Sequence, residues 1–168
     1  MVSSKWRAVH RYLYDLSPLD RGVEIAALLL TCGLIVFCAF VFSSLPDEIP
    51  VHFNSAGYPD AYDTKATIWW LPLLAIVCYA ALTFLGRLRT NTFGPPPQQQ
   101  ALRVKLGQRL MRVLKLGLAI AFLFLAVFQV RIAISDTEAR LGMAFFWVIL
   151  TGIVVSAGYA AYRYVRAG

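Results

Sequence analysis

Four long apolar runs dominate the pattern of this chain, at about 22–44, 67–86, 113–134 and 141–162, and the polar and charged residues gather between them. Each run is roughly 20 residues or longer, enough at about 1.5 Å per residue to cross a hydrocarbon core of about 30 Å. Lipid offers the backbone no hydrogen-bond partners, so each run is predicted to be a membrane-spanning α-helix. The first run is longer than a secretory apolar core and no A-x-A site follows it, so it is read as a retained span.

The polar stretches carry their own signals. Trp6, Val9, Leu13 and Leu16 recur at helical spacing, with Arg7, His10, Arg11 and Asp15 elsewhere on the wheel. This predicts a short helix lying on a leaflet surface. Ser17-Pro18-Leu19-Asp20 is a helix start: a serine cap, proline at the first position and an acid in the first turn. In the middle loop, Gly94-Pro95-Pro96-Pro97 stops one helix, and Gln98-Gln99-Gln100 follows. Beyond it Leu102, Leu106, Leu110 and Val113 share one face and Lys105, Arg109 and Arg112 another, an amphipathic helix leading into the third span. Its cations are expected to meet anionic lipid headgroups. Pro72 falls near the start of the second span, where it costs little.

Small residues four apart form stripes that let helices approach closely in lipid: Gly152, Ser156 and Ala160 in the fourth span, Gly117 and Ala121 in the third. The short turn at 135–140 makes these two spans antiparallel neighbours. Cys32, Cys38 and Cys78 all lie inside apolar runs and read as small apolar side chains.

Composition agrees with the pattern. The chain has 168 residues, 59% of them apolar and 15% charged, against about 45–50% and about 25% in soluble domains. Disorder is excluded on the same figures. The net charge of +7 would suggest nucleic acid on a soluble domain, but here the cations flank apolar runs and no nucleic-acid partner is expected. Thirteen Lys and Arg fall in the N-terminal segment, the 87–112 loop with the start of the third run, and the C-terminal end. Three, Lys65, Arg131 and Arg140, fall in the other two loops. The asymmetry puts both termini in the cytoplasm and the 45–66 loop outside. Trp69 and Trp70 sit where an interfacial belt would.

The motifs of metalloproteases, serine hydrolases, thiol redox proteins and phosphate-binding loops are missing from the sequence, and no cofactor is expected. His10 and His52, predicted on opposite sides, could not share a haem. Glu24, Gln129 and Arg131 lie near span ends, where snorkelling suffices, and Glu24 reads as a first-turn acid favoured by the helix dipole.

The outer loop, 45–66, is different. It holds four of the nine acids, and proline at 46, 50 and 59. Asn54-Ser55-Ala56-Gly57 signals a turn between short extended pieces. Asp63 or Thr64 is placed to cap the second span. His52, Asn54, Asp60, Asp63 and Lys65 form either an internal polar network, the expected outcome, or a peptide-contact surface. A metal site at His52, Asp60 and Asp63 is an acceptable donor set without diagnostic spacing. In a buried network, His52→Ala would leave its partners unsatisfied.

The run Leu45-Pro46-Asp47-Glu48-Ile49-Pro50-x-His52-Phe53-Asn54-x-x-Gly57-x-Pro59-Asp60, followed by Lys65 and an apolar run with Pro72, resembles a bacterial membrane family. That family is catalogued mainly as a domain of unknown function. Its best-known relatives are immunity proteins against a sporulation-delaying toxin that also take part in signalling. The resemblance covers residues 22–86. It implies a multi-pass inner-membrane protein, brings no catalytic mechanism, and marks His52, Asn54, Asp60 and Lys65 as the positions of interest.

The expectation is therefore one membrane domain over 1–168: an all-α, four-transmembrane-helix bundle with an ordered extracytoplasmic loop between helices 1 and 2. Its function is expected to be non-enzymatic, recognition, immunity or sensing at the outer face. The alternative is a small transporter or an accessory subunit of one. Partners would be the bilayer and an extracytoplasmic peptide or another membrane protein.

Overall fold

The computed structural model describes residues 17–54, 56–91, 98–135, 151–152 and 162. Helix α1 spans Pro18–Val41 and ends in a 3-10 turn, Phe42–Ser44. Strands β1 (Glu48–Phe53) and β2 (Pro59–Thr64) follow, then a second 3-10 turn, Lys65–Trp69, that leads into α2 (Trp70–Asn91). Helix α3 runs from Gln98 to Ser135.

Helix α1 begins as its sequence predicts. Ser17 is the cap, its Oγ accepting from the Asp20 backbone N–H at 3.1 Å, and Pro18 follows it. The amphipathic segment and the third span form one helix of 38 residues. No proline interrupts that stretch, and Gln, Leu, Lys and Arg at its start are all good helix formers. The capping of the second span by Asp63 or Thr64 does not occur. Thr64 stands at the N-cap of the 3-10 turn but makes no side-chain cap bond, and its carbonyl instead accepts from Thr67 Oγ1 at 2.8 Å.

Among the described residues, three helical stretches are long and apolar enough to cross a membrane: Pro18–Ser44, Lys65–Gly86 and Lys105–Ser135. Their outer faces are apolar. Leu29, Val36 and Phe40 on α1 and Val77 and Phe84 on α2 are exposed, which water would penalise and lipid would not. The protein is mostly helical but not all-α, because β1 and β2 pair as a small antiparallel sheet. Of the fourth run only Thr151, Gly152 and Tyr162 are described, all helical. The rest of that run with Ser156 and Ala160, the N-terminal surface helix and the triple-proline segment lie outside the described residues.

The core lies where the hairpin meets the helices. Leu34 and Cys38 of α1, Leu45, Ile49 of β1, Ile68, Ala75 of α2, and Ala126 and Val130 of α3 form one buried cluster. Small residues on α3 permit this closeness, but the most deeply buried ones are Ala119 and Ala126; Gly117 and Ala121 are half-buried. A Cβ built at Gly152 meets no atom within 4 Å.

Candidate functional site

The hairpin is built by the residues singled out in the sequence. Asn54 Oδ1 accepts from the backbone N–H groups of Ala56 and Tyr58, at 2.9 and 3.1 Å. Gly57 takes φ 85°, a left-handed conformation that any Cβ would strain. The turn closes with Gly57 N–H donating to the Asn54 carbonyl at 2.9 Å. At the base, Lys65 Nζ donates to Asp47 Oδ1 at 2.9 Å and the Lys65 backbone N–H to the Asp47 carbonyl at 2.9 Å. The Lys65 ammonium also lies 6.0 Å from the centre of the Phe42 ring.

Across the strands, His52 Nδ1 and Asp60 Oδ1 are 2.5 Å apart. The pair is exposed, with 69% of the His52 side chain and 40% of that of Asp60 open. The polar network expected for this loop forms in part, Lys65 pairing with Asp47, but His52 meets Asp60 in the open, since a two-stranded hairpin has too little mass to cover its own polar groups. Asp63 does not join the pair; its Oδ1 accepts from the Thr64 N–H at 2.6 Å. Among the described residues, no three His, Cys, Asp or Glu side chains gather as a metal would require.

One face of the hairpin is held down on α3. Gln129, buried, donates from Nε2 to the Pro50 carbonyl at 2.7 Å. Phe53 packs on Phe128 with ring centres 5.8 Å apart, edge to face. The register slips between Pro50 and His52, and such a bulge re-aims side chains. Beside this junction opens a groove of about 350 Å³ between the hairpin, the second 3-10 turn and α3. Val51, Phe53, Trp70, Leu71 and Leu125 supply its apolar wall, and Asp63, Thr67 and Gln129 its polar atoms. An apolar concavity with a few convergent polar groups is the form binding sites take.

At the far end of the bundle lies a second polar constellation. Glu24 Oε1 accepts from Lys115 Nζ at 2.6 Å and from Tyr79 Oη at 2.7 Å, joining α1, α2 and α3. The Lys115 ammonium sits 4.6 Å over the Tyr79 ring, and its side chain is 5% exposed. Arg112 Nε approaches Glu24 Oε2 at 3.8 Å. A helix turn away, Arg109 Nε donates to Asp20 Oδ1 at 2.8 Å, and Ser17 Oγ donates to Asp20 Oδ2 at 2.6 Å. Two expectations are corrected here. Glu24 is not merely a helix-dipole acid, since cations and a hydroxyl of two other helices converge on it, and Arg109 of the amphipathic stretch is engaged by Asp20 of α1. Lys115, counted with the flank charges, is a buried member of a span. The available signal was complementarity. Asp20 and Glu24 stand four apart on one helix, and Arg109, Arg112 and Lys115 three apart on another.

The family model for a domain of unknown function, DUF1648, matches residues 29–76. These run from the middle of α1 through the hairpin into the first turns of α2. An uncharacterized protein of Archaeoglobus fulgidus is 24% identical over 154 residues, which is 88% of this chain and 72% of that protein. No solved structure matches the chain. The chain, whose described residues include three helices long and apolar enough to cross a membrane, is similar over α1, the hairpin and the start of α2 to a domain to which no function has been assigned.

Proposed function

We propose that the protein is a non-enzymatic recognition protein of the cell membrane, as in immunity or sensing, whose hairpin faces outward and takes a side chain of an extracytoplasmic peptide into the groove beside it. The observation that carries this reading is the groove itself, roofed by a hairpin clasped to α3 through Gln129 and Pro50. Charge supports a basic partner: the 45–66 loop holds four acids, Asp47, Glu48, Asp60 and Asp63, against one cation, Lys65, in an otherwise cationic chain. The His52–Asp60 pair, exposed on the same hairpin, offers further polar contacts. The charge asymmetry of the flanks supports the outward orientation, with both termini cytoplasmic.

The test is a Val51→Cys variant, treated in intact cells with a bulky membrane-impermeant maleimide. Outward recognition predicts that labelling abolishes binding of a fluorescent lysine-rich peptide to the cells, while binding to cells carrying Phe40→Cys, in the lipid-facing wall, is untouched. Undiminished peptide binding with the Val51→Cys protein fully labelled would refute the reading.

A second reading, transport, draws on the half-buried Glu24 and Tyr79 with the buried Lys115, since ionisable groups within spans often mark translocation routes. It predicts that Glu24→Gln combined with Lys115→Met abolishes function in a folded protein. Recognition at the hairpin predicts that this double variant still works.

A further inference from the structure

We propose that Arg112, with Arg109 one turn before it on α3, holds a phosphate oxyanion at the Asp20 end of the bundle. The case begins with charge. Among the described residues, Arg109, Arg112 and Lys115 pair with two acids there, Asp20 and Glu24. Those acids are already engaged. Asp20 Oδ1 takes Arg109 and its Oδ2 takes the Ser17 hydroxyl. Glu24 Oε1 takes both Lys115 and Tyr79. Arg112 is the cation left over: among the described residues it reaches Glu24 Oε2 only at 3.8 Å, beyond a hydrogen bond.

That surplus is costly where it stands. The Arg112 side chain is 15% exposed, and a cation withdrawn from water without a bonded counter-charge is strongly disfavoured. A guanidinium presents a planar fork of donors whose geometry matches two oxygens of a phosphate. Arg109, one turn away, commits its Nε to Asp20 and is 51% exposed, which leaves further guanidinium donors for a ligand. Both residues lie in the first turns of the Lys105–Ser135 apolar stretch, beside Lys105, where a span end meets headgroup phosphates. The ligand is thus a phosphate group, on a lipid headgroup or free.

The experiment is thermal melting of the full chain in a neutral detergent, titrated separately with phosphatidylglycerol, phosphatidylcholine and inorganic phosphate. Phosphatidylglycerol is expected to raise the melting temperature more than phosphatidylcholine does. Arg112→Gln should need roughly tenfold more of it for the same rise, the loss of one charge-assisted hydrogen bond. Arg131→Gln, at the other end of α3, should respond as wild type. A rise with the lipid alone identifies a headgroup; a rise with inorganic phosphate as well identifies a site for the oxyanion itself. Should Arg112→Gln not fold, Arg112→Lys keeps the charge without the fork and should also bind more weakly. No rise with any of the three, a wild-type response in either Arg112 variant, or an equal loss in Arg131→Gln would overturn the proposal.

Discussion

Lys115 Nζ stands 2.6 Å from Glu24 Oε1 although 91 residues separate them in the chain, and the bond fixes α3 against α1 inside the apolar part of the bundle. Removing the acid leaves the buried Lys115 ammonium without its carboxylate. Glu24→Gln is expected to destabilise the protein by about 3–5 kcal/mol. Glu24→Gln with Lys115→Met should recover much of that loss, because the buried ammonium goes with its partner. Melting in detergent of both singles and the double gives the coupling directly, and additive losses would show that the two residues do not depend on each other.

Gln129 has the corresponding role at the hairpin end, about 21 Å along α3 from Lys115 at 1.5 Å per residue. Gln129→Leu removes the donor and leaves the Pro50 carbonyl unsatisfied in the interior, at a cost of about 1–3 kcal/mol. Hydrogen exchange should quicken across β1 and β2, with the Glu24 end of the bundle protected as before. Unchanged exchange in the hairpin would mean that packing alone holds it.

Gly57 is the turn residue that tolerates no side chain without strain. Gly57→Ala should cost about 1–3 kcal/mol, and Gly57→Asn less, since asparagine accepts the left-handed region more readily than alanine. Melting temperatures ordered glycine, asparagine, alanine would agree; alanine equal to glycine would not.

His52 and Asp60 should behave otherwise. An ion pair this exposed contributes about 0–1 kcal/mol, so His52→Ala is expected to leave the melting temperature nearly unchanged. A fall as large as that for Gln129→Leu would show the pair to be structural after all.

These contrasts follow how much of the molecule is legible locally. Spans announce themselves because lipid demands long apolar runs, and the start of α1 is written in Ser17 and Pro18. The turn at Asn54 and Gly57 is equally local, needing one side-chain acceptor and one residue free of a Cβ. The pairing of Glu24 with Lys115 is different in kind, because nothing near either residue records a partner on another helix. Charge complementarity between two helix faces is the one trace it leaves. Burial at His52 was also beyond local pattern. The polar partners were recognisable, but whether a hairpin covers them depends on what packs above it, and here the covered side is that of Pro50 and Gln129.

Filling the groove tests its role most directly. Leu125→Trp places an indole in the groove, whereas Val36→Trp adds the same mass to the exposed face of α1. Both should accumulate in the membrane and melt close to wild type. Measured as binding of a fluorescent lysine-rich peptide to the purified protein in detergent, Leu125→Trp should fail and Val36→Trp should bind as wild type. Wild-type binding by a folded Leu125→Trp would contradict recognition at this groove.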